Sequence, residues 1–268
     1  MKKMLAMLFF ISAALCLLAG CGGKTDAPQS DNSLQKVLDT KQFVLGLDVG
    51  FPPMGFADET GEITGFDIDV AQEVCNRLGV SLVKKGIDWN TKEDKLSDGT
   101  IDCIWNGLSV TPERSRTMNF SEPYMKNELI FVVSADSGAK GMYDLAGKKV
   151  GVQSGATAAD ALKASDIASK VSVASFEDNL TLLRQLEQGV VDAALMDSVV
   201  AYYYIFSSDK QFFILPSSLG EEKYAIGFRK GDQKLRDRVQ SIISDMKADG
   251  TLGKISKKWF GSDITIVK

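Results

Sequence analysis

The stretch FVLGLDVGF (43–51), followed by FDIDVAQEVCNRLG (66–79), decides the fold class. The first run is almost entirely apolar, which predicts a buried strand. The second has apolar residues at helical spacing, and Asp67 is predicted to cap this helix and Gly79 to end it. These apolar residues are Phe66, Val70, Val74 and Leu78. A buried strand that leads into an amphipathic helix is typical of an α/β sheet.

The same alternation continues along the chain and then starts again. Further strands are predicted at SLVKKGI (81–87), IDCIW (101–105), KKVGVQ (148–153), VSVASF (171–176) and VVDAALM (190–196). Helices are predicted at 91–99, 158–165, 179–189 and 231–250, and a further helix follows Asp197, which is predicted to cap it. Two α/β units therefore follow one another, and open sheets of this kind bind ligands at the carboxyl ends of their strands.

The end of the chain is predicted to return to the first unit. After the second unit is complete, the run YAIGF (224–228) and the helix over 231–250 remain. The chain is expected to cross between the units in extended segments near 127–133 and 221–228. Two such crossings would make a hinge.

The N-terminus predicts export and lipid attachment. Lys2 and Lys3 precede an apolar run that ends near Leu18, which is typical of a secretory signal and too short for a membrane span. The residues 18–21 (LAGC) resemble the bacterial lipobox, so we expect a lipoprotein signal peptide over 1–20 and lipid on Cys21. Residues 21–38 are predicted to form a lipidated tether. The alternative is an ordinary signal peptide that is cleaved near residue 19.

Charge and composition exclude several classes of protein. The chain has 31 basic and 35 acidic residues and no histidine. Loss of Lys2 and Lys3 with the signal leaves 29 basic residues and a formal charge of −6, which argues against nucleic acid as a partner. Cys75 and Cys103 remain, either as a disulfide or as two buried thiols. No metal site and no cofactor are predicted.

The turn NGLSVTPER (106–114) contains one residue that local structure does not explain. Thr111 suits a helix N-cap and Pro112 suits the first helical position. Arg114 places a cation near the helix N-terminus, where it opposes the helix dipole. One interpretation is a surface arginine paired with Glu113 or Glu122, and the other is a binding residue for an anion.

Several motifs in this order resemble the polar amino acid solute-binding lipoproteins of ABC importers, the bacterial extracellular solute-binding proteins of family 3. The motifs are GFDIDVAQEV (65–74), NGLSVTPER (106–114), MNFSEPY (118–124), DLAGKKVGVQSG (144–155), GVVDAALMD (189–197), YAIGFRKGD (224–232) and DGTLGKISKKWFG (249–261). The resemblance implies a type II periplasmic-binding-protein-like fold, with two α/β lobes joined by two hinge strands and a ligand cleft between them. It places lobe 1 at 39–129 and 223–268 and lobe 2 at 130–222.

The resemblance also implies a function. It implies an extracytoplasmic protein, anchored to the bacterial cell membrane by lipid, that captures a free L-amino acid and delivers it to ABC transporter permease subunits. The protein is expected to be a monomer and not an enzyme. A small dehydratase on the same fold is the alternative, although the chain has no histidine for acid and base chemistry. A ligand sensor for another membrane partner is the third interpretation.

The residues that match the family's binding positions lie in several segments. Arg114 is implied to bind the ligand carboxylate through its planar fork, and Asp197 is implied to bind the ammonium from the second lobe. Gly107 and Ser109 are implied to add backbone and hydroxyl contacts. The turn with Gly155, Thr157 and Ala158 is implied to offer N–H groups to the carboxylate, whereas Ala156 stands where the family often has a hydroxyl.

The remaining matches concern the ligand side chain. Phe51 matches an aromatic residue that stacks over the ligand, and Asp48 and Trp89 match positions near the side-chain pocket. Asn106 and Trp105 flank this pocket and Met196 is a further candidate, although Trp105 fits a core position equally well. These residues favour a polar or sulfur-containing ligand, with glutamine or cystine as first candidates.

Overall fold

The structure is a computed structural model that describes residues 31–207 and 211–268. The predictions for the signal peptide (1–20), for Cys21 and for the tether up to residue 30 lie outside the described residues. The predicted tether to residue 38 is too long, because a helix occupies Ser33–Thr40. Leu34 and Val37 lie on one face of that helix and pack against the core, so this segment is part of the folded body.

Helices form where apolar residues recur at helical spacing, as over Phe66–Leu78. The prediction that Asp67 caps this helix is wrong, because Gly65 occupies the N-cap position. Thr111 is confirmed as a cap, since its hydroxyl accepts the backbone N–H of Arg114. In the described part of the chain the helices are α1 (Ser33–Thr40), α2 (Phe66–Leu78), α3 (Lys92–Ser97), α4 (Pro112–Thr117), α5 (Thr157–Ala164), α6 (Asn179–Glu187), α7 (Ser198–Ser207), α8 (Gln233–Ala248) and α9 (Thr251–Phe260).

The strands follow the predicted alternation, with one break. The predicted strand over 43–51 divides into two, because the carboxylate of Asp48 accepts the N–H of Gly50 and turns the backbone. Over the described ranges the strands are β1 (Gln42–Leu47), β2 (Gly50–Phe51), β3 (Gly55–Ala57), β4 (Ile63–Thr64), β5 (Ser81–Gly86), β6 (Cys103–Ile104), β7 (Met118–Phe120), β8 (Met125–Ser134), β9 (Lys149–Gln153), β10 (Ser172–Phe176), β11 (Ala193–Asp197), β12 (Phe212–Tyr224) and β13 (Gly227–Arg229).

Two larger sheets organise these strands. The first sheet has the order β5-β1-β6-β13-β7, and the second has the order β10-β9-β11-β8-β12. Each contains three parallel neighbours, β5-β1-β6 and β10-β9-β11, extended by antiparallel strands. We call the first sheet with α1–α4, α8 and α9 the first lobe, and the second sheet with α5–α7 the second lobe. The strands β2, β3 and β4 form a small separate sheet.

The two crossings between the lobes run side by side. Strands β8 and β12 pair antiparallel, with Asn127 opposite Glu222 and Met125 opposite Tyr224. The predicted crossing segment 127–133 lies within β8, and the segment 221–228 continues from β12 into β13. Both predicted lobe boundaries, after residues 129 and 222, therefore fall inside this strand pair.

Apolar side chains fill both lobes. The first sheet buries Phe43 and Leu45 of β1 against Val74 of α2, while the second buries Val150 of β9 and Leu195 of β11. Burial of this kind stabilises a fold by roughly 25 cal/mol per Å² of apolar surface. Each lobe is therefore anchored by its own sheet.

The two cysteines of the folded body are Cys75 and Cys103, and both are buried and free. Burial raises the pKa of the Cys75 thiol to about 12 and that of Cys103 well above its usual value. The sequence left open either a disulfide or two buried thiols, and the structure has the two buried thiols. Within the described ranges, no helix combines the length and the apolar character needed to cross a membrane.

Candidate functional site

The carboxyl ends of the parallel strands in both lobes meet at a small buried cavity. Trp89 follows β5 and the turn with Gly107 and Ser109 follows β6, while Thr157 begins the helix after β9 and Asp197 ends β11. The cavity is lined by Phe51, Trp89, Gly107, Ser109, Arg114, Gln153, Ala156, Thr157 and Asp197. Seven of the eleven predicted ligand-binding residues line it, so the two lobes bring most of the predicted set together.

The other four predicted residues lie outside this lining. Asp48 contacts the cavity-lining Gln153, and Asn106 supports the loop after β1 by accepting the Asp48 N–H at 3.1 Å. Gly155 faces the first lobe through its carbonyl oxygen. The side chain of Ala158 is buried in the core of the second lobe, so only its backbone is left for the predicted role.

Two further candidates from the sequence belong to the core. Trp105 and Met196 were predicted to flank or line the pocket, but both are fully buried among apolar side chains. Trp105 follows β6 and Met196 lies in β11, where successive side chains point to opposite faces of a sheet. Asp197, next to Met196, is therefore the one that faces the cavity.

Arg114 is held in place from both lobes. Its Nη1 donates to the Ser109 carbonyl at 3.0 Å, and its Nη2 donates to the Gly155 carbonyl at 3.1 Å. Its Nε lies 3.6 Å from the carboxylate of Glu93. The side chain is only 11% exposed, so the interpretation as a surface arginine paired with Glu113 or Glu122 is wrong. A guanidinium has five N–H donors, and these contacts leave one on each terminal nitrogen.

Burial disfavours the protonated form of Arg114, and nearby carboxylates favour it. Loss of solvent lowers the pKa of the guanidinium, and Glu93, Glu222 and Asp197 oppose this effect. An arginine remains protonated under such conditions. Arg114 is therefore a permanent cation in the lining of the cavity, with one N–H on each terminal nitrogen outside these contacts.

Asp197 forms the anionic side of the cavity. Its Oδ1 accepts hydrogen bonds from Asn127 Nδ2 and from the Tyr224 hydroxyl, both at 2.6 Å. Burial raises its pKa to about 7, and the charge of Glu222 adds to this effect. Asp197 lies directly before α7, where the sequence predicts a cap, and Asn127 Oδ1 accepts the first N–H of this helix, from Ser198.

Gly107 owes its position to a buried carboxylate that the sequence prediction assigned to a helix cap. Asp67 Oδ2 accepts the Gly107 N–H at 2.8 Å and the Tyr124 hydroxyl at 2.9 Å. Complete burial raises the pKa of Asp67 to about 7 in spite of these bonds. Gly107 has φ +57°, and a Cβ there would lie 2.6 Å from the ring of Phe51. Glycine at this position therefore leaves room for the aromatic ring beside the cavity.

A second contact between the lobes joins Asp48 and Gln153. Gln153 Nε2 donates to Asp48 Oδ2 at 2.6 Å, and Asn179 donates to Gln153 Oε1 at 2.7 Å. Burial raises the pKa of Asp48 to about 6. The sequence prediction missed Gln153, although its place at the carboxyl end of β9 is the kind of position that open α/β sheets use for ligands.

A sequence model of the bacterial extracellular solute-binding proteins, family 3, matches residues 43–262. The chain belongs to this family. Among its relatives is the L-cystine-binding protein TcyJ of Escherichia coli (strain K12), with 30% identity over 254 residues that cover 94% of each chain. The arginine-binding extracellular protein ArtP of Bacillus subtilis (strain 168) is 29% identical, over 97% of this chain and 98% of ArtP.

A solved structure of this family has the same fold. An ABC uptake transporter substrate-binding protein from Streptococcus pneumoniae, with bound histidine, is 34% identical and has a TM-score of 0.85. The match covers 88% of this chain and 99% of that protein. The two-lobed α/β fold expected from the sequence is confirmed, and the family's location is extracytoplasmic. These relatives are binding proteins, and that of Streptococcus pneumoniae belongs to an ABC uptake transporter, which confirms the expectation of a binding protein and not an enzyme.

Gly155 provides a test of the contact between the lobes. It has φ +71°, and a Cβ there would lie 2.9 Å from the backbone Cα of Asn90 in the first lobe. We therefore expect Gly155→Ala to keep the lobes apart. Small-angle scattering in a mixture of the twenty amino acids and cystine should give a larger radius of gyration for this variant than for the wild type.

Gly138→Ala is the matched control, because Gly138 has φ +70° and open space around its Cβ position. Both variants should lose a similar free energy of unfolding, about 1 kcal/mol for the left-handed conformation. Only Gly155→Ala should change the scattering. Equal radii of gyration for the two variants would contradict the contact.

Proposed function

We propose that this protein captures a free polar amino acid outside the cytoplasm and presents the closed, ligand-bound form to the permease of an ABC importer. One observation carries the proposal: Arg114 from the first lobe and Asp197 from the second line the same buried cavity. A free amino acid carries a carboxylate and an ammonium on one carbon. Its carboxylate pairs with Arg114 while its ammonium pairs with Asp197. An unpaired charge in such a site would cost several kcal/mol.

The proposed roles follow the chemistry of each group. The two remaining N–H donors of Arg114 bind the ligand carboxylate as a fork. Asp197 binds the ammonium, and the Ser109 hydroxyl oxygen is a second acceptor for it. The hydroxyl hydrogen is already donated to Glu222 at 2.8 Å. Phe51 and Trp89 enclose the aliphatic part of the ligand. The N–H groups of Thr157 and Ala158 at the start of α5 complete the carboxylate site.

The ligand side chain is proposed to lie toward Asp48 and Gln153. Asp48 accepts from Gly50 and from Gln153 and, as a carboxylate, has acceptor sites beyond these two bonds, which favours a polar side chain over an aliphatic one. Cystine and glutamine are the first candidates, and the cystine-binding relative supports the first of them. Arginine and histidine, named for two other relatives, belong in the same test.

The N-terminal segment is proposed to attach the protein to the membrane. Cleavage after residue 20 would leave lipid on Cys21, and residues 21–30 would form the tether to the folded body. The lipobox LAGC at 18–21 supports this proposal. Such an anchor would keep the receptor next to its permease, with the protein acting as a monomer.

A thermal-shift screen of residues 25–268 tests the proposed function. The panel is the free amino acids and cystine, each with its amide or ester as control. A ligand at about a hundred times its Kd adds roughly 2.7 kcal/mol, which moves Tm by a few degrees. We expect a shift with one or a few polar amino acids that disappears when the carboxylate is blocked. The absence of any shift across the panel would reject the proposal.

Arg114→Ala tests the carboxylate site. Removal of one partner of a buried charge pair costs roughly 2–5 kcal/mol, so the affinity measured by calorimetry should fall at least about thirtyfold. Arg116→Ala is the matched control, since Arg116 lies on the same helix with its side chain 74% exposed. Wild-type affinity in Arg114→Ala would contradict the role of Arg114.

The pKa of Asp197 predicts how affinity changes with pH. This pKa is about 7, because burial and the charge of Glu222 raise it while the Tyr224 hydrogen bond and the charge of Arg114 lower it. A bound ammonium favours the charged carboxylate, so binding displaces a proton below pH 7. Affinity should therefore fall as the pH is lowered from 8 to 6, approaching tenfold per unit below the pKa. In Asp197→Asn the weaker binding should lose this slope, and an unchanged slope would contradict the assignment.

A further inference from the structure

Lys92 is a buried cation that the proposed site does not use. Its side chain is only 2% exposed, although it lies in the polar stretch KEDK (92–95) of α3. Lysine is almost never buried unless its ammonium is paired. Burial, together with the charge of Arg114, lowers the pKa of Lys92 to about 8. A position so costly for a charge requires specific partners.

The partners of Lys92 come from both lobes. Its Nζ donates to the Trp89 carbonyl at 3.0 Å and lies 3.3 Å from the carboxylate of Glu93, both in the first lobe. It also lies 5.0 Å from the centroid of the Trp89 ring. The remaining partner is the Gly155 carbonyl in the second lobe, at 2.9 Å. Of these contacts, only the one to Gly155 depends on the lobes being together.

Arg114 uses the same acceptor. Its Nη2 donates to the Gly155 carbonyl at 3.1 Å, so one backbone oxygen accepts hydrogen bonds from two cations. Glu93 lies between them, with one carboxylate oxygen near Lys92 and the other near Arg114. Hydrogen bonds with an ionised donor are about twice as strong as neutral ones. The Gly155 carbonyl is therefore a strong contact point between the lobes that needs no ligand.

We propose that Lys92 is a closure latch: it binds the Gly155 carbonyl when the lobes meet and so favours the closed form without touching the ligand. The inference rests on the proposed function in so far as closure captures the ligand. Lys92 is a positioning residue, because it lines the neighbouring cavity beside Arg114 and is absent from the lining of the amino acid cavity. It keeps the second lobe in place while Arg114 binds the ligand carboxylate.

Lys92→Met tests the latch, because methionine keeps the apolar length of the side chain and removes the donors. We expect the affinity for whichever probe, L-cystine or L-arginine, binds the wild type to fall about tenfold. Scattering should show a larger radius of gyration at equal occupancy. Lys163→Met, at an exposed position on α5, should behave as the wild type. Wild-type affinity and closure in Lys92→Met would overturn the proposal.

Amine labelling gives a second test that does not depend on the folding of Lys92→Met or on the ligand. Acetylation by an N-hydroxysuccinimide ester, followed by mass spectrometry, compares Lys92 with the exposed Lys163 in the ligand-free protein. We expect Lys92 to react at least tenfold more slowly, and to react severalfold faster in Gly155→Ala while Lys163 is unchanged. A Lys92 that stays equally protected in Gly155→Ala would overturn the latch. A wild type that shows no shift with any member of the thermal-shift panel would reject the proposed function, while the labelling result would still decide the latch.

Discussion

The backbone carbonyl of Gly155 joins the two lobes, because it accepts hydrogen bonds from both Lys92 and Arg114 of the opposite lobe. Closure removes both cations from water, and a desolvated charge must find partners inside the protein. Glu93 provides the nearby negative charge on the same side. Gly155 also has a left-handed conformation and lies close to Asn90, so a side chain at this position would hold the lobes apart.

The strands that join the lobes also build the anionic side of the site. Asn127 of β8 and Tyr224 of β12 both donate to Asp197, and Asn127 also donates to Glu222 at 3.0 Å. These residues belong to the segments where the chain crosses between the lobes. A hinge motion in this strand pair would therefore change the surroundings of Asp197.

The sequence predicted features that repeat or that break a local rule. Helix α2 followed from its apolar spacing, and Arg114 stood out because a cation opposes the dipole at a helix start. Lys92 could not be predicted in this way, since a lysine among acidic residues is typical of an exposed helix. Its burial comes from Gly155, 63 positions away, and no local pattern encodes that contact. Asp67 was assigned to a cap for the same reason, because its true partner Gly107 is 40 residues distant.

The arrangement of charges explains why an amino acid fits better than a simple ion. Asp197, which lines the cavity, and Glu222 both accept from the amide of Asn127, so two carboxylates lie next to one another on this side of the site. A cation alone would relieve this repulsion but would leave the free N–H groups of Arg114 without an acceptor. An anion alone would satisfy Arg114 and add to the negative charge beside Asp197. The proposed ligand, with its carboxylate and its ammonium on one carbon, would pair with both Arg114 and Asp197, and Asp48 is the proposed contact for its side chain.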